Sequence, residues 1–300
     1  MSGPTELALA AGVIVEAGVK ATAVLALAGG GAWLLRRRPA AERHTLWAAA
    51  VLVLPVVPLL AVLRGPALAI DGGGWLVASW ALGVLLASVA PVRGLAELAR
   101  LRGAAVPDPE RSWLRWTAEL PSPVTFGWRR PVVLMPDAAR SWAPARQAVA
   151  LAHEQAHVAR ADWLVHMGVW AVAALFWFHP LVWWARRRVA EEAEHAADDQ
   201  VLATGVRPSD YASLLLAVAH DRAPAVALAM SPTARRVHAV LDRRPRSPRR
   251  GGAVVAALLA VLLGAPALAS WSVVPTAPAG EGWVAPADQV TCQPAPGVLP

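Results

Sequence analysis

Apolar runs long enough to cross a bilayer leave few folds open to this chain. Hydrocarbon about 30 Å thick needs roughly 20 helical residues at about 1.5 Å rise each. Four runs reach or approach that length, within residues 7–35, 46–63, 75–92 and 253–270. Lipid offers no partner to a bare N–H or C=O, so each run is predicted as a helix. Pro55 and Pro58 break the second, which is predicted as a span whose freed carbonyls are met by neighbouring helices. Composition agrees: 56% of the 300 residues are hydrophobic and the mean hydropathy is +0.44, more than a water-facing surface carries. The N-terminus lacks a basic flank before its apolar run, so the first span is expected to be retained rather than cleaved. Glu16 and Lys20 stand four apart on that helix and are expected to form an interfacial ion pair toward its outer half.

Arginine sets the orientation, because loops that stay in the cytoplasm keep their positive charge. Residues 36–44 hold four arginines, and residues 93–250 hold 22 against 15 acidic residues. The parity places both termini outside the cell membrane and residues 93–250 in the cytoplasm. The expected organisation is three spans in 1–92, a cytoplasmic domain in 93–250, a fourth span in 251–270 and a disordered, proline-rich extracytoplasmic tail in 271–300. "RRPRSPRR" at 243–250 is read as the topology anchor of the fourth span, and no direct nucleic-acid binding is expected. That span has the form of a signal peptide ending at Ala269 but is expected to be retained. Cys292, the only cysteine, has no internal disulfide partner.

One further apolar run, residues 163–184, would export the arginines that follow if it crossed fully. It is therefore predicted as a helical hairpin turning near His179 and Pro180. Helices are predicted at 144–160 and 181–203. "PVTFGWRRPVVLMP" (123–136) has two short β-branched runs around a glycine bend and is predicted as a β-hairpin.

The chemistry lies in "LAHEQAHVARAD", residues 151–162. On a helix His153 and His157 share one face and can offer two imidazoles to one ion, for which zinc is the metal suited. Glu154 is turned about 100° from His153. It suits a general base that takes the proton of a metal-activated water. A third ligand is required, with one position left open. "EEAEHAADD" (191–199) supplies Glu194, with Glu191 as its rival. Asp198, one turn after Glu194, would accept the second N–H of a ligand histidine. Tyr211 and His220 are the candidate transition-state donors, the alternative for Tyr211 being a packing residue of its helix. The hairpin at 123–136 is expected to flank the His153 helix and to offer a free edge to an extended peptide. Neither a G-x-S-x-G nor a Walker pattern competes, and "GGG" at 72–74 is a weak phosphate loop.

The blocks "SPVTFGWRRPVVLMP", "ALAHEQAHVARADW", "FWFHPLVWWARRRVAEEAEHAADDQVL" and "YASLLLAVA" resemble successive segments of the BlaR/MecR-type membrane metallopeptidases over roughly residues 75–270. That resemblance implies a mainly α membrane protein with about four transmembrane helices and a gluzin-like α+β zinc-protease domain. By the family's motif His153, His157 and Glu194 are zinc ligands and Glu154 the base. Ala197 stands where the family usually has cysteine. With about 30 residues after the last span, an outer penicillin-binding sensor of the kind some family members carry is not expected. An S-x-x-K nucleophile is excluded because Lys20 is the only lysine. The resemblance implies regulatory cleavage of a cytoplasmic protein, a winged-helix repressor or the chain itself. A homodimer is compatible with it. The alternatives are a quality-control or prenyl-protein protease of the Ste24/HtpX kind, and a non-proteolytic membrane signalling scaffold.

Overall fold

The computed structural model describes residues 4–64, 69–220 and 232–242. The fourth apolar run, the basic stretch before it and the tail lie outside the described residues. Helix α1 (Pro4–Leu34) ends in a 3-10 turn, Leu35–Arg37, and the chain then reverses into α2 (Ala40–Leu52) and α3 (Val56–Arg64). Residues 40–63 form one candidate span with its break at the predicted proline. Helix α4 (Gly74–Ala104) runs straight past residue 92, so the third span and the start of the following region share one helix. Three helices among the described residues are long and apolar enough to cross a membrane.

After α4 come β1 (Val106–Pro107), β2 (Leu114–Thr117), β3 (Val124–Phe126) and β4 (Val132–Pro136), in a sheet of order β1-β2-β4-β3. The predicted hairpin is present: β3 and β4 are antiparallel, with Thr125 opposite Val133. Gly127 at the bend has φ +90°, a conformation that glycine reaches without steric cost. Alternation along β4 divides its side chains between two layers. Val132 and Leu134 pack with Leu101 at the end of α4, while Val133 and Met135 pack beneath α5 (Pro144–Ala159). The parallel β2–β4 pairing leaves β3 as a free edge.

Helices α6 (Asp162–Leu175) and α7 (Pro180–Leu202) form the predicted hairpin, turning at residues 176–179. Prolines begin α5 and α7, where a missing N–H costs nothing. Between α5 and α6 the axis bends by 57° at Arg160–Ala161, and Ala161 is held at φ 53°. Helices α1, α2, α6 and α7 share one core built from Ala21, Leu25, Trp47, Val51, Val169, Ala173, Ala185 and Val189. Last come α8 (Pro208–His220) and α9 (Pro232–Leu241), which close against α5 and α7 through Tyr211, Leu215 and Val240.

The hairpin tip is pinned halfway along two spans. Trp177 lies over Gly83, donating its indole N–H to Trp80 O at 3.1 Å, while Trp80 donates to Leu175 O at 2.9 Å. Phe178 fits against Gly18 of α1. A Cβ at Gly83 would sit 2.0 Å from the Trp177 ring. Gly83→Val is therefore expected to destabilise the protein by about 1–3 kcal/mol through overpacking, read as a lower unfolding temperature in detergent. An unchanged midpoint would mean that the tip is not docked there.

The expected ion pair of α1 forms. Glu16 and Lys20, at 6% and 0% exposure, are in addition enclosed by the surrounding helices. Hydropathy along α1 cannot register that its polar face is covered by other helices.

Candidate metal centre and active site

Helix α5 puts His153 and His157 one turn apart, with their Nε2 atoms 3.2 Å from each other. Glu194, on α7, enters from across the hairpin. Its carboxylate oxygens lie 3.5 Å from His153 Nε2 and 3.6 Å from His157 Nε2. A tetrahedron with vertices about 2.1 Å from its centre has edges of roughly 3.4 Å. Oε2 gives the distance to His153 and Oε1 the distance to His157, so the carboxylate straddles the pair of nitrogens. One ligand atom from each of the three residues lies within 4.8 Å of the others, a group among the described residues that can hold a metal ion such as zinc.

Each imidazole is oriented from behind. His157 Nδ1 donates to Asp162 Oδ2 at 2.7 Å, and His153 Nδ1 faces Asp198 Oδ1 at 3.2 Å. Both contacts favour the tautomer whose Nε2 lone pair is free for a metal. Asp198 also accepts the Tyr211 hydroxyl at 2.6 Å and the Arg236 guanidinium at 2.6 and 2.9 Å. Arg236, from α9, reaches Glu194 Oε2 at 3.0 Å as well. Arg160 bridges Asp162 to Ala193 O at 2.8 Å, tying the end of the histidine helix to the helix of Glu194.

The electrostatics follow from this packing. Burial opposes a charge on His153, yet the Asp198 and Glu194 carboxylates outweigh it and raise the imidazole to about 9. Burial likewise opposes ionisation of Glu194, but His153 and Arg236 lower it to about 2. Asp198 is held well below the usual carboxylate range, burial being overcome by Arg236 and His153. Burial and the Asp198 charge push the Tyr211 phenol up. Ionised carboxylates are ready donors for a divalent cation, whereas His153 must give up a proton before its Nε2 can ligate one, so metal binding there would release that proton.

Glu154 opens into the same cavity, of about 450 Å³, without joining the three donors. It is 8% exposed, and its Oε2 accepts the Thr125 hydroxyl at 2.6 Å. Thr125 lies on β3, so the free strand edge forms one wall of the cavity, as expected from the sequence. Val149, Leu214 and Leu215 supply an apolar wall.

Not every candidate converges. Glu191 pairs with Arg188 and Arg235 and is absent from the donor group. Tyr211 holds its hydroxyl on the Nδ1 side of His153, away from the Nε2 that faces the other donors. The side chain of His220 lies outside the described residues. Sequence reasoning missed Asp162, Arg160, Thr125 and Arg236. Asp162 carried a readable signal, an acid five residues after His157 at the start of the next helix. Arg236 carried none in a chain with 28 basic residues of which only Lys20 is lysine.

Comparison with known proteins brings in one family and one relative. The profile of the family described as BlaR1 peptidase M56 matches residues 75–244, more than half of the chain. Over 83 residues the sequence is 32% identical to a protein named Regulatory protein BlaR1 from Bacillus licheniformis. The matched stretch is 28% of this chain and 14% of that relative's length.

Proposed function

Because the chain belongs to the BlaR1 peptidase M56 family, a family of membrane metallopeptidases, we propose that it is a zinc endopeptidase with His153, His157 and Glu194 as ligands and Glu154 as general base. The observation that carries this reading is the convergence of two Nε2 atoms and one carboxylate at tetrahedral-edge separations, with Glu154 in the same cavity. Zinc bound there supplies a Lewis acid for a peptide carbonyl and makes nearby water more acidic. The chain's own residues do the remainder. Asp162 and Asp198 fix the imidazoles, the Thr125 hydroxyl holds the Glu154 carboxylate in place, and Glu154 takes the proton of the attacking water and can return it to the leaving amine. An extended peptide adds to the edge of β3, where backbone groups bind it with little demand on sequence.

We place the site on the cytoplasmic face. Arg43, in the arginine-rich corner between α1 and α2, pairs with Glu192 at 2.8 Å, two residues from Glu194, so the site and that corner lie on one side. The rule that positive loops stay inside supports the assignment. A regulatory substrate, a winged-helix repressor or the chain itself, fits the name of the B. licheniformis relative.

The deciding experiment is cleavage of an unstructured reporter protein by the purified protein in nanodiscs, before and after chelation. Activity should disappear with the metal and return with zinc; cleavage that survives complete metal removal overturns the reading. Thr125→Val, which keeps the shape and removes the donor, is expected to lower kcat/KM about 10-fold at unchanged zinc content, as one hydrogen bond to a charged group is lost. Equal kcat/KM would show that Thr125 does not position Glu154.

A further inference from the structure

A second cavity, also of about 450 Å³, lies where the α1–α2 corner meets α7 and α9. From α7 it takes Trp184, Arg188, Glu192, His195 and Asp199, a stripe at helical spacing on a different face from Glu194. From the corner it takes Trp33, Arg36, Arg38, Arg43 and Trp47. We propose that this cavity binds a phosphate group, presented by the headgroup of an anionic phospholipid.

Charge is the first argument. Arg38 is matched by Glu42, Arg43 and Arg188 share Glu192, Asp198, which lines the cavity from the side of the metal centre, is matched by Arg236, and Asp199 is the further carboxylate of the lining, so that these residues set five guanidiniums, Arg36 included, against four carboxylates. Arg36 meets no carboxylate among the described residues; its guanidinium stacks 4.1 Å over the Trp33 ring. The second argument is unmet hydrogen bonding. Trp47 is 1% exposed, and its Nε1, a donor only, has no hydrogen-bond partner among the described residues. The buried Nδ1 of His195 also has no hydrogen-bond partner among the described residues, and it donates when it carries the ring proton. Buried polar atoms without partners are rare, and these two line the same cavity as Arg36, whose remaining bond is to Trp33 O at 3.1 Å. An anion with several acceptor oxygens is the ligand class that suits an indole N–H, a protonated imidazole nitrogen and a guanidinium around one cavity.

Position makes the lipid the source. The cavity sits where the first candidate span ends and the second begins, the level at which headgroups lie. Trp33 and Leu34 are 61% and 71% exposed, as residues of a membrane rim are. Gly29 and Ala32, a turn deeper in α1, form with the ring of Trp47 an apolar inner wall. That wall offers apolar contact to an acyl chain and nothing to free phosphate. This inference needs the membrane reading of α1 and α2 but not the peptidase chemistry.

The test is native mass spectrometry of the full chain extracted from vesicles of equal parts phosphatidylglycerol and phosphatidylcholine, which involves no peptide cleavage. A failed peptidase reading therefore leaves its result standing. Retention of phosphatidylglycerol over phosphatidylcholine is expected. Arg36→Gln should lower it about 10-fold, the effect of one lost charged hydrogen bond. Arg37→Gln removes the same charge from a neighbour that does not line the cavity and should leave retention unchanged. Gly29→Leu keeps every charge, fills the apolar wall and should lower retention as well. Equal losses in the two arginine variants would reduce the binding to general attraction for an anionic surface and overturn the site. So would indifference between the two lipids. In a third arm inorganic phosphate is added to delipidated protein; thermal protection by phosphate alone, matching that by phosphatidylglycerol, would assign the cavity to a soluble anion and overturn the lipid assignment.

Discussion

Glu154→Gln should lower peptide cleavage by about 10²- to 10⁴-fold, the range for a positioned general base, while bound zinc stays the same. Glutamine keeps the size of the side chain and can still accept the Thr125 hydroxyl through its amide oxygen, so the 8%-exposed position stays filled. Glu154 also stands outside the three converging donors, so metal affinity should not depend on its charge. What the amide cannot do is take a proton from water. Elemental analysis and turnover of one reporter peptide, measured on the same preparation, separate the two roles. Turnover within a fewfold of wild type would remove Glu154 from the mechanism. Loss of zinc would place it among the ligands.

Asp198→Ala should have the largest effect on folding. Asp198 is 2% exposed and gathers three partners: the Tyr211 hydroxyl, the Arg236 guanidinium and His153 Nδ1. Removing it takes one of two carboxylates from Arg236, which keeps Glu194 at 3.0 Å, and leaves the buried Tyr211 hydroxyl without its acceptor, a loss of about 3 kcal/mol. It also frees the His153 ring from the contact that selects its tautomer, which should weaken zinc binding about 10- to 100-fold. The Asp198 carboxyl is depressed in the folded protein. Its contribution is therefore fully present above the ordinary carboxylate range and is lost as pH falls through the lower, folded-state value. The stability gap between wild type and variant should accordingly be widest near neutrality and narrow in acid. Tyr211→Phe removes one hydroxyl and should cost only about 1 kcal/mol. Thermal unfolding of both variants against pH checks this, and a gap that is small at neutrality or grows in acid would contradict the assigned network.

The parts of the site legible in the sequence are those set by local geometry. His153 and His157 share a face because any α-helix puts residues four apart on one side, and Glu154 is rotated away for the same reason. Glu194 followed from the spacing to Asp198 and from the hairpin that the arginine pattern required. Pro144 and Pro180 mark helix starts that α5 and α7 adopt, and the two β-branched runs around the glycine bend in residues 123–136 marked the hairpin whose free edge borders the site. Each of these signals comes from backbone periodicity or from the energetics of a charge in lipid, so it can be read from a short stretch alone.

Tertiary packing decided what stands behind and around those residues. Arg236 meets Asp198 because α9 folds back over α7, a contact between residues 38 apart that neither helix encodes alone. The α5–α6 bend at Ala161 lets Asp162 reach back to His157. Burial of the Glu16–Lys20 pair depends on the helices that surround α1, whereas its i, i+4 spacing required only α1 itself. The arginines around Trp47 read along the chain as a topology signal. Only the closure of α7 and α9 against the α1–α2 corner turns them into a cavity with unmet donors, because enclosure depends on several elements at once while periodicity depends on one.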